Sequence, residues 1–131
     1  MRAVIVGGAP ISDYAAIKEH LKKDDFFIVC DSGLSHCTGL GITPSLIIGD
    51  FDSHEKPDTD IETIVLPCEK DDTDTVFAAK ECIRRGFDSV LLVGAIGARL
   101  DHSLGNVYLL LYLENRGVRA EIADDCSVMC I

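Results

Sequence analysis

Six short runs of apolar, largely β-branched residues recur along the chain: AVIV (3–6), FFIVC (26–30), SLIIG (45–49), ETIVLP (62–67), SVLLVG (89–94) and RAEIA (119–123). They are continuously apolar rather than alternating, which is the pattern of strands buried on both faces of a parallel sheet. Parallel neighbours need crossover connections, and helical spacing fills several of the gaps. Residues 11–23 place Ile11, Tyr14, Ile17 and Leu21 on one face, with Ser12 or Asp13 as N-cap. Residues 71–86 place Val76, Ala79 and Ile83 together and close on Gly86. Residues 101–117 run through Leu104, Val107 and Leu111 and close on Gly117. Strand–helix alternation of this kind predicts an α/β fold, a Rossmann-like three-layer sandwich around a mostly parallel sheet of about six strands.

The chain has 131 residues, enough for one domain with a substantial core. The expected organisation is an α/β domain over 1–123, with 124–131 (DDCSVMCI) beginning a further β domain that the chain does not contain. Twelve basic residues stand against twenty-two acidic ones, a formal net charge of −10. That balance, with no basic cluster larger than a pair such as Arg84 and Arg85, argues against nucleic acid as a partner. A polyanionic ligand would be repelled unless cations accompanied it. The six cysteines form no CxxC and no metal-like spacing with the four histidines; several sit in apolar runs, as buried thiols of a cytoplasmic protein do. The five-residue apolar stretch after Arg2 is too short for a signal-peptide core, and no run is long enough to span a membrane.

In open parallel sheets, ligands bind beyond the carboxyl ends of the strands. Here those ends carry GGAP, DSG, GDFDS, CEKDDTD and GAIGARLDHSLGN, which gather Asp31, Asp50, Asp52, Asp71, Asp72, Asp74 and Asp101 along one edge. In an extended chain Asp50 and Asp52 would point the same way. Crowded carboxylates raise one another's pKa, and a hard cation such as Mg²⁺ would relieve that cost. Several of these residues also have a local explanation. Asp31 can begin a turn, Asp72 or Thr73 can cap a helix, Asp74 suits a helix dipole, Asp101 can cap the last helix, and His102 suits a surface or packing position. Their shared edge is what the local explanations leave unaccounted for. The glycines of GAIGAR can offer backbone N–H groups to an anion, and the Arg99 fork suits phosphate oxygens. Together these are parts that phosphoryl transfer uses, without the P-loop or dinucleotide fingerprints.

Four motifs in order, DSG (31–33), PSLIIGDFDS (44–53), KDDTD (70–74) and GAIGARLDHSLGN (94–106), resemble those of the thiamine pyrophosphokinase family. Ser32 departs from the pattern, where the family more often has glycine. The resemblance implies transfer of a pyrophosphoryl group from ATP to the thiamine hydroxyl, with release of AMP. It implies that Asp50, Asp52 and Asp74 bind Mg²⁺ and that these three, with Arg99 and Asp101, form the catalytic set. It also implies a nucleotide and phosphate site built from Asp31, Ser32, Gly33, Asp71, Thr73, Gly97, Arg99, His102 and Asn106. Family members continue into an all-β domain that helps dimerisation and thiamine binding, so a homodimer is expected of the full-length protein. Three other readings stand beside this one: a phosphatase with an Asp-x-Asp nucleophile pair, an enzyme that pyrophosphorylates a pterin alcohol, and a non-catalytic nucleotide-binding module.

Overall fold

The computed structural model describes residues 1–51, 59–67, 74–97 and 100–130, the His102 side chain excepted. Its strands are β1 (Arg2–Val6), β2 (Phe26–Cys30), β3 (Leu46–Gly49), β4 (Glu62–Val65), β5 (Ser89–Val93), β6 (Arg119–Ala123) and β7 (Val128–Cys130). The helices are α1 (Tyr14–Lys18), α2 (His36–Leu40), α3 (Asp74–Arg84) and α4 (Leu100–Glu114), and a 3₁₀ turn spans Asp31–Gly33. One sheet holds all seven strands in the order β4-β3-β2-β1-β5-β6-β7. β1 to β6 pair in parallel, and β7 runs antiparallel along β6. The sheet thus has one strand more than expected, formed from the apolar tail.

Side-chain alternation splits the core into two layers. Ala3, Ile5, Ile28, Leu46, Ile48 and Leu92 face Ala78, Ala79, Cys82, Leu110 and Leu113, so α3 and α4 cover one face. Val4, Val6, Val29, Leu91 and Val93 face Ile17 and Leu40, so α1 and α2 cover the other. Burial on both faces is strongest in β1, β2, β3 and β5, whose apolar runs are unbroken. It fails at β4 and β7, where Val65, Val128 and Met129 are exposed, because edge strands are covered incompletely.

The helices differ from expectation in length and facing. Asp13 is the N-cap of α1, its carboxylate accepting from Ala16 N at 3.1 Å. The helix then stops at Lys18 rather than continuing to residue 23, tightening into i→i+3 bonds from His20 N to Ile17 O and from Leu21 N to Lys18 O. α3 ends as its glycine predicts: Gly86 has φ 83°, Gly86 N donates to Ile83 O and Phe87 N to Cys82 O, the paired bonds of a Schellman cap. On α4 the expected face is wrong at two of its three positions, Val107 alone packing partly buried against the core. Leu104 and Leu111 are exposed, and the buried stripe is Ser103, Asn106, Leu110 and Leu113. From Leu104 to Leu113 the helix is apolar nearly all round, so periodicity alone could not choose a face.

Candidate functional site

The strand order reverses at β1, which has β2 on one side and β5 on the other. A reversal opens a crevice at the carboxyl ends of the strands, because the segments leaving the two neighbouring strands diverge to opposite faces. A cavity of about 460 Å³ lies there, walled by Gly7, Gly8, Ala9 and Pro10 after β1 and by Gly94, Ala95 and Gly97 after β5. Cys30 and Ser32 close it from β2, Asp74 and Thr75 from α3, and Asp101, Ser103 and Asn106 from α4.

Its floor depends on two glycines. Gly7 N donates to Val93 O at 2.8 Å and Ala9 N to Gly94 O at 2.9 Å, so the β1–β5 ladder continues past both strands. Gly94 has φ 63°, and a Cβ there would lie 2.5 Å from Gly7 O. No side chain fits between the two backbones.

Three side-chain links fix the walls. Asn106, itself buried, donates from Nδ2 to Ala95 O at 2.9 Å and accepts from Thr75 Oγ1 at 2.8 Å, tying α4 to the β5 loop and to α3. Ser103 Oγ accepts from Gly97 N at 3.0 Å. On the opposite wall His36 is buried, with Nε2 2.8 Å from Ala9 O and Nδ1 2.7 Å from the Tyr14 hydroxyl. A carbonyl can only accept, so Nε2 carries a proton, and in the neutral ring Tyr14 donates to Nδ1. The loop after β1 is therefore held from α1 and α2.

The sequence-based candidates divide into three groups. Ser32, Asp74, Gly97, Asp101 and Asn106 line the cavity. Asp74 and Asp101 occupy the first turns of α3 and α4, where their charge also suits the helix dipoles. Asp31, Gly33 and Asp50 stand on the same sheet edge but are not among its lining residues. Asp31 opens the 3₁₀ turn after β2, and its carboxylate faces β3 rather than the cavity, accepting from Phe51 N at 2.9 Å. Gly33 is pressed under Val6 O, 2.5 Å from where its Cβ would be. Asp52, Asp71, Thr73, Arg99 and the His102 side chain lie outside the described residues.

Two expectations change. β3 ends at Gly49 and Phe51 has φ 57°, so the chain is not extended at the residue that follows Asp50, and Asp52 itself lies outside the described residues. The Gly97 N–H is committed to Ser103, so this amide of GAIGAR donates within the protein. Sequence reasoning did not nominate Gly7, Gly8, Thr75 or Ser103. Gly7 and Gly8 had a signal, since they follow the strand that becomes the centre of the sheet; Thr75 and Ser103 had none beyond adjacency to Asp74 and Asp101.

The polar side chains around the cavity are chiefly oxygen donors, the set a hard cation takes. Among the described residues no group of three or more His, Cys, Asp or Glu side chains could hold a metal. Mg²⁺ carried on a phosphate ligand needs only one or two protein carboxylates, the phosphates and water supplying the rest, and Asp74 and Asp101 are the carboxylates among the lining residues. Among the described residues no helix is long and apolar enough to cross a membrane.

Comparison with known proteins supplies the family. A thiamine pyrophosphokinase of Bacillus subtilis (strain 168) is 32% identical over 124 residues, covering 90% of this chain and 56% of that protein. A solved thiamin pyrophosphokinase from Geobacillus thermodenitrificans superposes with a TM-score of 0.78 at 32% identity, over 95% of this chain and 60% of that one. The Bacillus subtilis enzyme structure gives 0.80 at 24% identity, over 95% of this chain and 61% of that one, a likeness that bears on fold alone. The chain thus spans less than two thirds of the length of each. The family described as "Thiamin pyrophosphokinase, catalytic domain" matches residues 17–122. That match runs from α1 into β6 and takes in both helices that wall the cavity, and on this ground the chain belongs to the thiamin pyrophosphokinase catalytic-domain family.

Proposed function

We propose that the chain carries the nucleotide site of a thiamine pyrophosphokinase, which moves a pyrophosphoryl group from ATP to the hydroxyl of thiamine and releases AMP. The observation that carries this reading is the cavity at the topological switch point, whose rim combines glycine backbone, hydroxyls and the helix-borne carboxylates Asp74 and Asp101. A formal net charge of −10 disfavours a bare triphosphate and favours its metal complex, and carboxylates on the rim suit the cation of that complex.

In this reading Asp50, Asp52 and Asp74 hold Mg²⁺, which when bound neutralises the phosphate oxygens and orients the triphosphate. Ser32 and the backbone of Gly7 and Gly8 border the nucleotide. Asn106 and Ser103 keep the loop after β5 in place against α4. Arg99 supplies a planar fork for the charge that builds on the transferring group, and Asp101 stands at the α4 end of the same rim. Asp71, Thr73 and His102 complete the phosphate side.

The same proposal assigns 1–123 to the catalytic domain, to whose sheet β7 adds a seventh strand. It also makes the full-length protein a cytoplasmic homodimer. An Asp-x-Asp phosphatase is disfavoured by topology, since Asp50 follows the third strand of the chain rather than the first. The test is AMP formation from Mg-ATP by a gene product of the relatives' length. AMP that appears only with thiamine supports the reading. Phosphate release without an acceptor, or AMP formation with a pterin alcohol instead, overturns it.

A further inference from the structure

We propose that Asp31 is a positioning residue that fixes the turn carrying Asp50 out of β3, rather than a group that touches nucleotide. This rests on the reading above, in which Asp50 holds Mg²⁺. Three observations carry it. The Asp31 residue is only 7% exposed, and it does not line the cavity. Its Oδ2 accepts from Phe51 N at 2.9 Å. Phe51 is also the one non-glycine residue among those described with positive φ, at 57°.

A phenylalanine resists the left-handed region because its Cβ crowds the backbone, so it stays there only where its surroundings insist. The Asp31 carboxylate supplies that insistence through a charge-assisted bond to the strained residue's own N–H. Both ends of the clamp are fixed. The Cys30–Ile48 register sets the end of β2 beside the end of β3, and Leu34 N closes the 3₁₀ turn on Asp31 O at 3.3 Å. Gly49 makes room for the carboxyl, since a Cβ there would lie 2.5 Å from Asp31 Cγ. The residue before Asp50 leaves room for the Asp31 carboxyl and the one after it is left-handed with its N–H on that carboxylate, so one side chain meets both flanks of Asp50.

A positioning role needs an acceptor at Oδ; a ligand or metal role needs the negative charge. Asn keeps the first and loses the second. Mn²⁺ affinity in the presence of a non-hydrolysable ATP analogue should fall about tenfold or more in Asp31→Ala, the worth of one such hydrogen bond, and only about two- to threefold in Asp31→Asn. Exchange of the residue-51 amide should rise about tenfold in Asp31→Ala alone of the two. Adding Phe51→Gly to Asp31→Ala should recover most of the lost affinity, because glycine enters the left-handed region without help. Equal losses in the Asn and Ala variants, or unchanged amide exchange in Asp31→Ala, would overturn the proposal. If Asp31→Ala does not fold, the Asn variant still decides between acceptor and charge. Asp50→Asn with undiminished Mn²⁺ affinity would remove the metal reading, yet the amide exchange would still judge the clamp.

Discussion

Gly94→Ala is expected to be among the costliest single-atom-group additions to this protein. The residue has φ 63°, and an alanine held in that region costs about 1–2 kcal/mol. Its Cβ would also lie 2.5 Å from Gly7 O, a backbone atom that the β1–β5 ladder holds on both sides. Forcing extra volume into such a site costs about 1–3 kcal/mol more. Reduced freedom of the unfolded chain returns about 0.4–1 kcal/mol. The net expectation is a loss of about 1–4.5 kcal/mol, centred near 3, a large part of the ~5–15 kcal/mol that holds a domain of this size. Gly86→Ala is the control: φ is 83°, nothing lies within 4 Å of the added Cβ, and the net cost should stay within about 1 kcal/mol. Urea unfolding followed by circular dichroism separates them. With m near 1–3 kcal/mol per molar, the Gly94 variant should lose ~0.3–3 M of midpoint beyond the Gly86 variant, about 1 M at the centre of both ranges. Equal midpoints would refute the argument that the backbone contact, and not the dihedral alone, demands glycine at the cavity floor.

Glu81 is buried on α3, and its hydrogen bond to Arg84, helped by Arg85, holds its carboxyl below the usual glutamate range against the opposing effect of burial. A depressed folded-state pKa stabilises above the unfolded pKa and is lost as pH falls through the folded one. Glu81→Gln should therefore be less stable than the parent at neutral pH, with the gap closing in acid; a gap that widens on acidification would contradict this. Burial pushes the Cys82 thiol up to about 12, whereas Cys126 and Cys130 are exposed. Iodoacetamide at mild alkaline pH, read by peptide mass spectrometry, should label Cys126 and Cys130 on the native protein and leave Cys82 unmodified until denaturant is added. Arg99→Lys in a protein of the relatives' length keeps charge and loses the fork, so kcat should fall more than KM rises. An unchanged kcat would remove Arg99 from the transfer step.

The sheet was legible because its central strands are buried on both faces, which leaves short runs such as Ala3–Val6 and Leu46–Ile48 apolar without a break between turn signals. α2 was not, since HCTGL is five residues with a glycine in its fourth position and shows no helical period; tertiary contact with Tyr14 and the β1 loop holds it. The α4 face was misread for the opposite reason, an excess of apolar residues. At the site, the aspartates and glycines could be read from their places after strands. Which way a carboxylate faces could not, because that depends on a neighbouring strand. Asp31 turns to Phe51, twenty positions along the chain, and only the Cys30–Ile48 register brings them together.

The claim that the switch-point cavity is the nucleotide site meets its most direct test in amide chemical shifts. ¹⁵N-labelled protein would be titrated with a non-hydrolysable ATP analogue, with and without Mg²⁺. The account predicts shifts at Gly7, Gly8, Ser32, Gly97, Ser103 and Asn106 that appear only when Mg²⁺ is present. Shifts confined to the outer face of α4 at Tyr108 and Leu111, or the same cavity shifts without the cation, would contradict it.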